Sequence, residues 1–171
     1  MGHEHILRLV ITAVFIALTY VFTVFVNIRL PIAANGGLIH LGNVPLFICA
    51  ILYGRWSGAI AGGVGMGLFD LLSGWTSWAP FTFVIVGAMG FVLGLLSEKK
   101  KTFPWNLLGM ILALIIKIVG YYLAEWILYG NPWVPLSSIP GNVVQVVTAI
   151  VIVSIVIVPL KVASRRVLRI G

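Results

Sequence analysis

Six nearly unbroken apolar stretches, each followed by turn-forming or charged residues, organise this chain. They run from about Ile6 to Ile28, Ile39 to Tyr53, Trp56 to Ser73, Ala79 to Ser97, Trp105 to Leu128 and Ile139 to Ala163. The segments between them read RLPIAANGG, YGR, GWTSW, EKKKTFP and YGNPWVPLSS, which is Gly, Pro, Asn and Lys punctuation. An apolar helix of about 20 residues crosses the hydrocarbon core of a bilayer. The second stretch is short for a full span and is expected to start below the outer surface. The first is longer than the apolar core of a signal peptide, so it reads as an uncleaved span. The pattern predicts an all-α integral membrane bundle of six transmembrane helices, with residues 1–171 as a single domain.

Small residues interrupt this pattern at two places. Ala13 and Ala17, in ITAVFIALTY, lie four apart and therefore on one helix face. Thr12, Thr19 and Thr23 form a separate stripe, about 100° round the helix from the alanines. In the third stretch Gly54, Gly58 and Gly62 make one small-residue row, and Gly63 with Gly67 another. Such rows let backbones approach closely in lipid, and internal packing is the expected use of the glycines.

Composition agrees: 61% of the 171 residues are hydrophobic and 9% are charged. The formal charge of +7 does not imply nucleic acid, because no basic face with interleaved aromatics exists. With the N-terminus inside and six crossings, Arg8, Arg55, Lys99, Lys100, Lys101, Lys161, Arg165, Arg166 and Arg169 are cytoplasmic, against Arg29 outside. That distribution satisfies the positive-inside rule and puts both termini in the cytoplasm. The outer loops, Arg29–Leu38, Gly74–Trp78 and Tyr129–Ser138, are then the elaborated ones, where recognition is expected. The single cysteine, Cys49, excludes an internal disulfide and a multi-cysteine metal site.

Polar residues inside spans cost energy and generally face the bundle interior. Lys117 lies near the middle of the fifth stretch, with Tyr121 and Glu125 following on its face, and Tyr122 and Trp126 flanking it. Asn142 and Gln145 share a face of the sixth stretch, His40 and Asn43 open the second, and Asp70 lies near the outer end of the third. Together they predict a pocket open to the outside, with aromatic walls and a few polar contacts. Structural roles compete with this reading. Tyr121, Tyr122, Trp126, Trp75 and Trp78 also suit an interfacial belt, Glu125 an exposed interface, Asn142 and His40 a cap, Asp70 a loop clamp, and Asp70 also suits pairing with Lys117.

No phosphate-binding G-x-x-x-x-G-K-[ST] loop, G-x-S-x-G, H-E-x-x-H or C-x-x-C is present. The chain is therefore not expected to be an enzyme or to hold a metal or other cofactor, and GHEH at the N-terminus is incidental. A pocket with no motor fits a substrate-capture subunit. A stand-alone proton-coupled secondary transporter, with Asp70 and Glu125 as proton sites, is the rival, and a scaffold subunit that binds no small molecule is a third class.

The stretches ITAVFIALTY, GGLIHLGNVPLFICAILYGRWSGAIAGGVGMGLFDLLSG and WAPFTFVIVGAMGFVLGLLS resemble the S components of energy-coupling factor (ECF) vitamin transporters. The block from Gly36 onward is most similar to the riboflavin, hydroxymethylpyrimidine and pyridoxine-type subgroup, with Asn43 where that pattern often has Asp. The resemblance implies a multi-pass protein of the bacterial plasma membrane. Its partners would be a transmembrane T component, met by the Ala13-x-x-x-Ala17 face, and two cytoplasmic ATPase subunits. It further implies that a small B-type vitamin or precursor is bound from outside and released inside when the subunit topples. On that reading Lys117, Tyr121, Tyr122, Glu125, Trp126, Asn142, Gln145, His40, Asn43, Asp70 and Trp78 are the candidate substrate-binding residues. Trp126 and Tyr122 would stack on the ring, and pyridoxine or hydroxymethylpyrimidine is favoured over riboflavin.

Overall fold

A computed structural model describes residues 2–29 and 38–169. It contains six helices: α1 (His3–Phe25), α2 (Asn43–Tyr53), α3 (Arg55–Leu72), α4 (Ala79–Lys99), α5 (Phe103–Tyr129) and α6 (Ile139–Arg169). Two short strands, β1 (Asn27–Arg29) and β2 (Leu38–His40), pair antiparallel, with Asn27 opposite His40. A short 3-10 turn, Val134–Ser138, leads into α6. Local chemistry sets several ends. Pro80 and Pro104 sit in the first turns of α4 and α5, where a missing N–H costs nothing. Gly130, left-handed at φ 65°, ends α5. Gly54, at φ 92°, turns the chain sharply between α2 and α3.

Two expectations from the apolar pattern need correction. The first helix stops at Phe25, and Ile28 belongs to β1. Ile39 and His40 are strand, so the second helix begins only at Asn43 and His40 precedes it. The reason is that backbone pairing between β1 and β2 replaces helical hydrogen bonds, and this partnership is remote in sequence. Of the expected outer loop Arg29–Leu38, residues 30–37 lie outside the described residues.

Four helical stretches among the described residues are long and apolar enough to cross a membrane: His5–Phe25, Ala79–Lys99, Phe103–Tyr129 and Val134–Ser164. At 11 residues, α2 spans only about 16 Å at the usual rise, roughly half the bilayer core. It is the hub of the bundle. Neighbours α1, α3, α4, α5 and α6 contact one another in that order, and α2 touches all of them except α5 among the principal contacts. Leu46, Phe47, Cys49 and Ala50 are fully buried there, and Leu46, Phe47 and Ala50 share one core cluster with Val86, Met89 and Leu93 of α4 and Ala149 and Val153 of α6.

The glycines of α3 serve internal packing. A Cβ on Gly90 would sit 2.4 Å from the Gly58 carbonyl oxygen, and one on Gly58 2.6 Å from the Ala50 Cβ. Helices α3 and α4 are therefore in backbone contact. On α1 the threonine stripe faces inward. Thr12 Oγ1 lies 3.0 Å from Ser57 Oγ of α3, a Cβ on Gly65 would meet Thr19, and Thr23 Oγ1 donates to the Thr19 carbonyl at 2.7 Å. Ala13 and Ala17, about 100° round the helix, are exposed in the isolated chain.

Candidate ligand-binding site

A cavity of about 120 Å³ opens at one end of the bundle. It gathers the C-terminal ends of α1, α3 and α5, the N-terminal ends of α4 and α6, and strand β2. The basic residues Arg55, Lys99, Lys100, Lys101 and Lys161 are at the opposite helix ends. Helix α5 supplies Lys117, Tyr121 and Glu125 at a four-residue spacing that stacks them on one face. Helix α6 supplies Gly141, Asn142 and Gln145, and α3 supplies Met66, Phe69 and Asp70. Trp75 and Trp78 of the α3–α4 connection, with Thr82, Thr23, His40 and Ser138, complete the lining.

The polar side chains are fixed by one another. Lys117, 1% exposed, donates to Gln145 Oε1 at 2.7 Å. Its Nζ also lies 5.6 Å from the Tyr121 ring centroid, a cation–π distance. The Tyr121 hydroxyl is 3.0 Å from Thr82 Oγ1, and Ser138 Oγ donates to Glu125 Oε2 at 2.8 Å. Trp78 packs between the rings of Tyr121 and Tyr129 at centroid distances of 6.3 and 6.1 Å. His40 Nδ1 accepts the Gly42 N–H at 3.3 Å. Burial, then the Lys117 charge, hold this imidazole well below the ordinary histidine pKa. The arrangement orients hydrogen bonds around a cavity with aromatic side chains in its wall. Among the described residues no cluster of three or more His, Cys, Asp or Glu could hold a metal ion.

Eight of the residues singled out from the sequence line this cavity together: Lys117, Tyr121, Glu125, Asn142, Gln145, His40, Asp70 and Trp78. Three lie off it. Tyr122 donates to the Pro132 carbonyl at 3.1 Å, Trp126 is 45% exposed, and Asn43 is buried at the start of α2. Asn142 sits inside α6, which begins at Ile139, so it is not a cap. The partner of Lys117 is Gln145; among the described residues the ion pair within 4 Å is Arg55–Glu98. Sequence reasoning overlooked Phe69, Thr82 and Ser138 as lining residues, and took Trp75 only as a belt aromatic. Phe69 adjoins Asp70, and Thr82 opens α4 one turn after Trp78. Adjacency of that kind was the available signal.

Comparison with known proteins follows the same lines. The family model described as "ECF-type riboflavin transporter, S component" matches residues 4–162. The chain is 30% identical over 158 residues to the thiamine precursor transporter HmpT of Lactococcus lactis, covering 91% of this chain and 88% of that one. It is 36% identical over 125 residues to an uncharacterised protein of Pyrococcus woesei, covering 73% and 83% of the two chains. In fold it is similar to ThiT from Listeria monocytogenes (TM-score 0.71, 22% identity, 91% of this chain and 95% of that one). A second solved structure, described as the S component of a bacterial ECF transporter, has a TM-score of 0.69 at 21% identity, covering 94% and 96%. A helical bundle with a polar-lined cavity and no catalytic motif, matched along almost its whole length by that family, is an S component of the ECF-type vitamin transporters, a multi-pass protein of the cell membrane.

Proposed function

We propose that this subunit captures a small, unphosphorylated, single-ring B-type vitamin or precursor from outside the cell, with hydroxymethylpyrimidine or pyridoxine as the ligand. The observation that carries this reading is the cavity itself: about 120 Å³, open at one side and lined by aromatic rings and a small polar set. A closed apolar cavity of about 150 Å³ holds one benzene ring, so a single ring already fills this space with its substituents toward the open side, whereas a three-ring flavin with its ribityl chain exceeds it. Lys117 is the cation of the lining among the described residues, and a phosphate group would call for more than one. The likeness to a thiamine precursor transporter supports a small precursor over riboflavin, although the matching family model carries riboflavin in its name. Trp75 and Trp78, which line the space, replace Tyr122 and Trp126 as the stacking partners.

In this reading six crossings put both termini in the cytoplasm and the cavity on the outside, as the positive-inside count requires. The exposed Ala13 and Ala17 face docks on a T component driven by two ATPase subunits. Close fit is what drives helix association in lipid, where apolar attraction adds nothing. Uptake by reconstituted vesicles tests the whole scheme. Transport is expected only with T component, ATPases and ATP present. Uptake by this chain alone, abolished by a protonophore, would establish the secondary-transporter alternative, and absence of saturable vitamin binding would establish a scaffold.

A further inference from the structure

Two side chains of opposite charge line the cavity without touching each other. Asp70, near the end of α3, and Lys117, midway along α5, act on each other electrostatically. Neither is in an ion pair within 4 Å among the described residues, where that contact is Arg55–Glu98. Lys117 donates one proton to Gln145 and has further N–H donors. The Asp70 carboxylate accepts only, and the Thr82 hydroxyl beside it interacts with it and with Tyr121. The cavity therefore asks for a donor on its Asp70 side and an acceptor on its Lys117 side, in a space that Phe69, Trp75 and Trp78 also line.

A conjugated ring amine meets that demand. Its nitrogen lone pair is delocalised, so the amino group donates and does not accept. The ring nitrogens of a diazine accept in the same plane, with no rotor to freeze on binding. Pyridoxine offers a ring hydroxyl and two hydroxymethyl groups, each of which accepts as well as donates, so it has no group that meets the carboxylate as a donor alone. An oxo ring places a second acceptor against the carboxylate. We infer that Asp70 selects an exocyclic aromatic amine, so that the cavity takes an aminopyrimidine with its amine on Asp70 and a ring nitrogen toward Lys117. This rests on the single-ring reading of the site and goes beyond it by naming the specificity-determining residue and the ligand edge that it reads.

The test titrates the purified chain in detergent, by quenching of tryptophan fluorescence, with three probes: amino-hydroxymethyl-methylpyrimidine, the analogue in which an oxo group replaces the amine, and pyridoxine. The wild type is expected to bind the amine at least about 10-fold more tightly than the oxo analogue, since a buried group left unpaired is costly. Asp70→Asn, which offers an N–H to the oxo group, is expected to erase or invert that ratio. Equal binding of amine and oxo analogue by the wild type, tighter binding of pyridoxine, or an unchanged ratio in a folded Asp70→Asn would overturn the inference and leave the single-ring reading standing. Binding of none of the probes would overturn both. If Asp70→Asn fails to fold, the wild-type ratio alone decides.

Discussion

Lys117 Nζ donates to Gln145 Oε1 at 2.7 Å, joining α5 to α6 where both are buried. An ammonium in the middle of a membrane bundle needs such a partner. Removing the acceptor strands the donor, so Gln145→Leu is expected to cost about 1–3 kcal/mol in thermal unfolding of the purified protein. Lys117→Met removes the charge along with its need for a partner and should be milder for stability. It should nevertheless weaken ligand binding by roughly 10-fold or more, because hydrogen bonds to charged groups are worth about 1.5–3 kcal/mol. Isothermal titration beside the melts separates the two effects.

The α3–α4 contact is backbone against backbone. Because a Cβ on Gly90 would fall 2.4 Å from the Gly58 oxygen, Gly90→Ala must push the helices apart. Overpacking of this kind costs about 1–3 kcal/mol. Gly141 has nothing within 4 Å of a built Cβ, so Gly141→Ala should leave the melting temperature nearly unchanged. A drop for Gly90→Ala as small as that for Gly141→Ala would refute the close approach.

The alanine face and the threonine face of α1 should separate in function. Ala13→Trp with Ala17→Trp adds bulk to exposed positions. Vitamin affinity should stay within about 2-fold, while co-purification with the T component and ATPases is lost. Thr23 lines the cavity, so Thr23→Trp should do the reverse and abolish binding by filling space. Retained assembly in the double alanine variant would remove the docking role from this face.

His40 gives a pH dependence whose sign follows from its depressed pKa. The unfolded chain takes up a proton on this residue below about pH 6.5, while the folded protein resists until lower pH. The unfolded state therefore binds more protons in that window, and stability rises with pH through it. The contribution is fully present above about pH 6.5 and is lost as the pH falls. Each pH unit is worth at most about 1.4 kcal/mol. Melts of wild type and His40→Gln between pH 5 and 8 measure it, and His40→Gln should show the flatter profile.

Hydrophobic periodicity by itself settled the class of this protein. Apolar runs cannot be buried in a soluble chain of this length, and the spacing of their turn residues gives six helices to within a few residues. The α5 triad of Lys117, Tyr121 and Glu125 was equally legible, because a four-residue repeat maps onto one helix face regardless of what lies opposite. The inward threonine stripe and the outward alanines of α1 followed from the same geometry.

Tertiary structure decided everything that depends on a partner distant in the chain. The β1–β2 pairing took Ile28 and His40 out of helices because strand hydrogen bonds are satisfied across a loop, where local periodicity carries no information. Gln145, rather than Asp70, became the partner of Lys117 through the packing of α5 on α6. Trp75 and Trp78 reached the cavity while Tyr122 and Trp126 did not. An aromatic near a helix end suits a lipid headgroup and a ligand equally well, and only the direction in which its helix faces the bundle chooses between them.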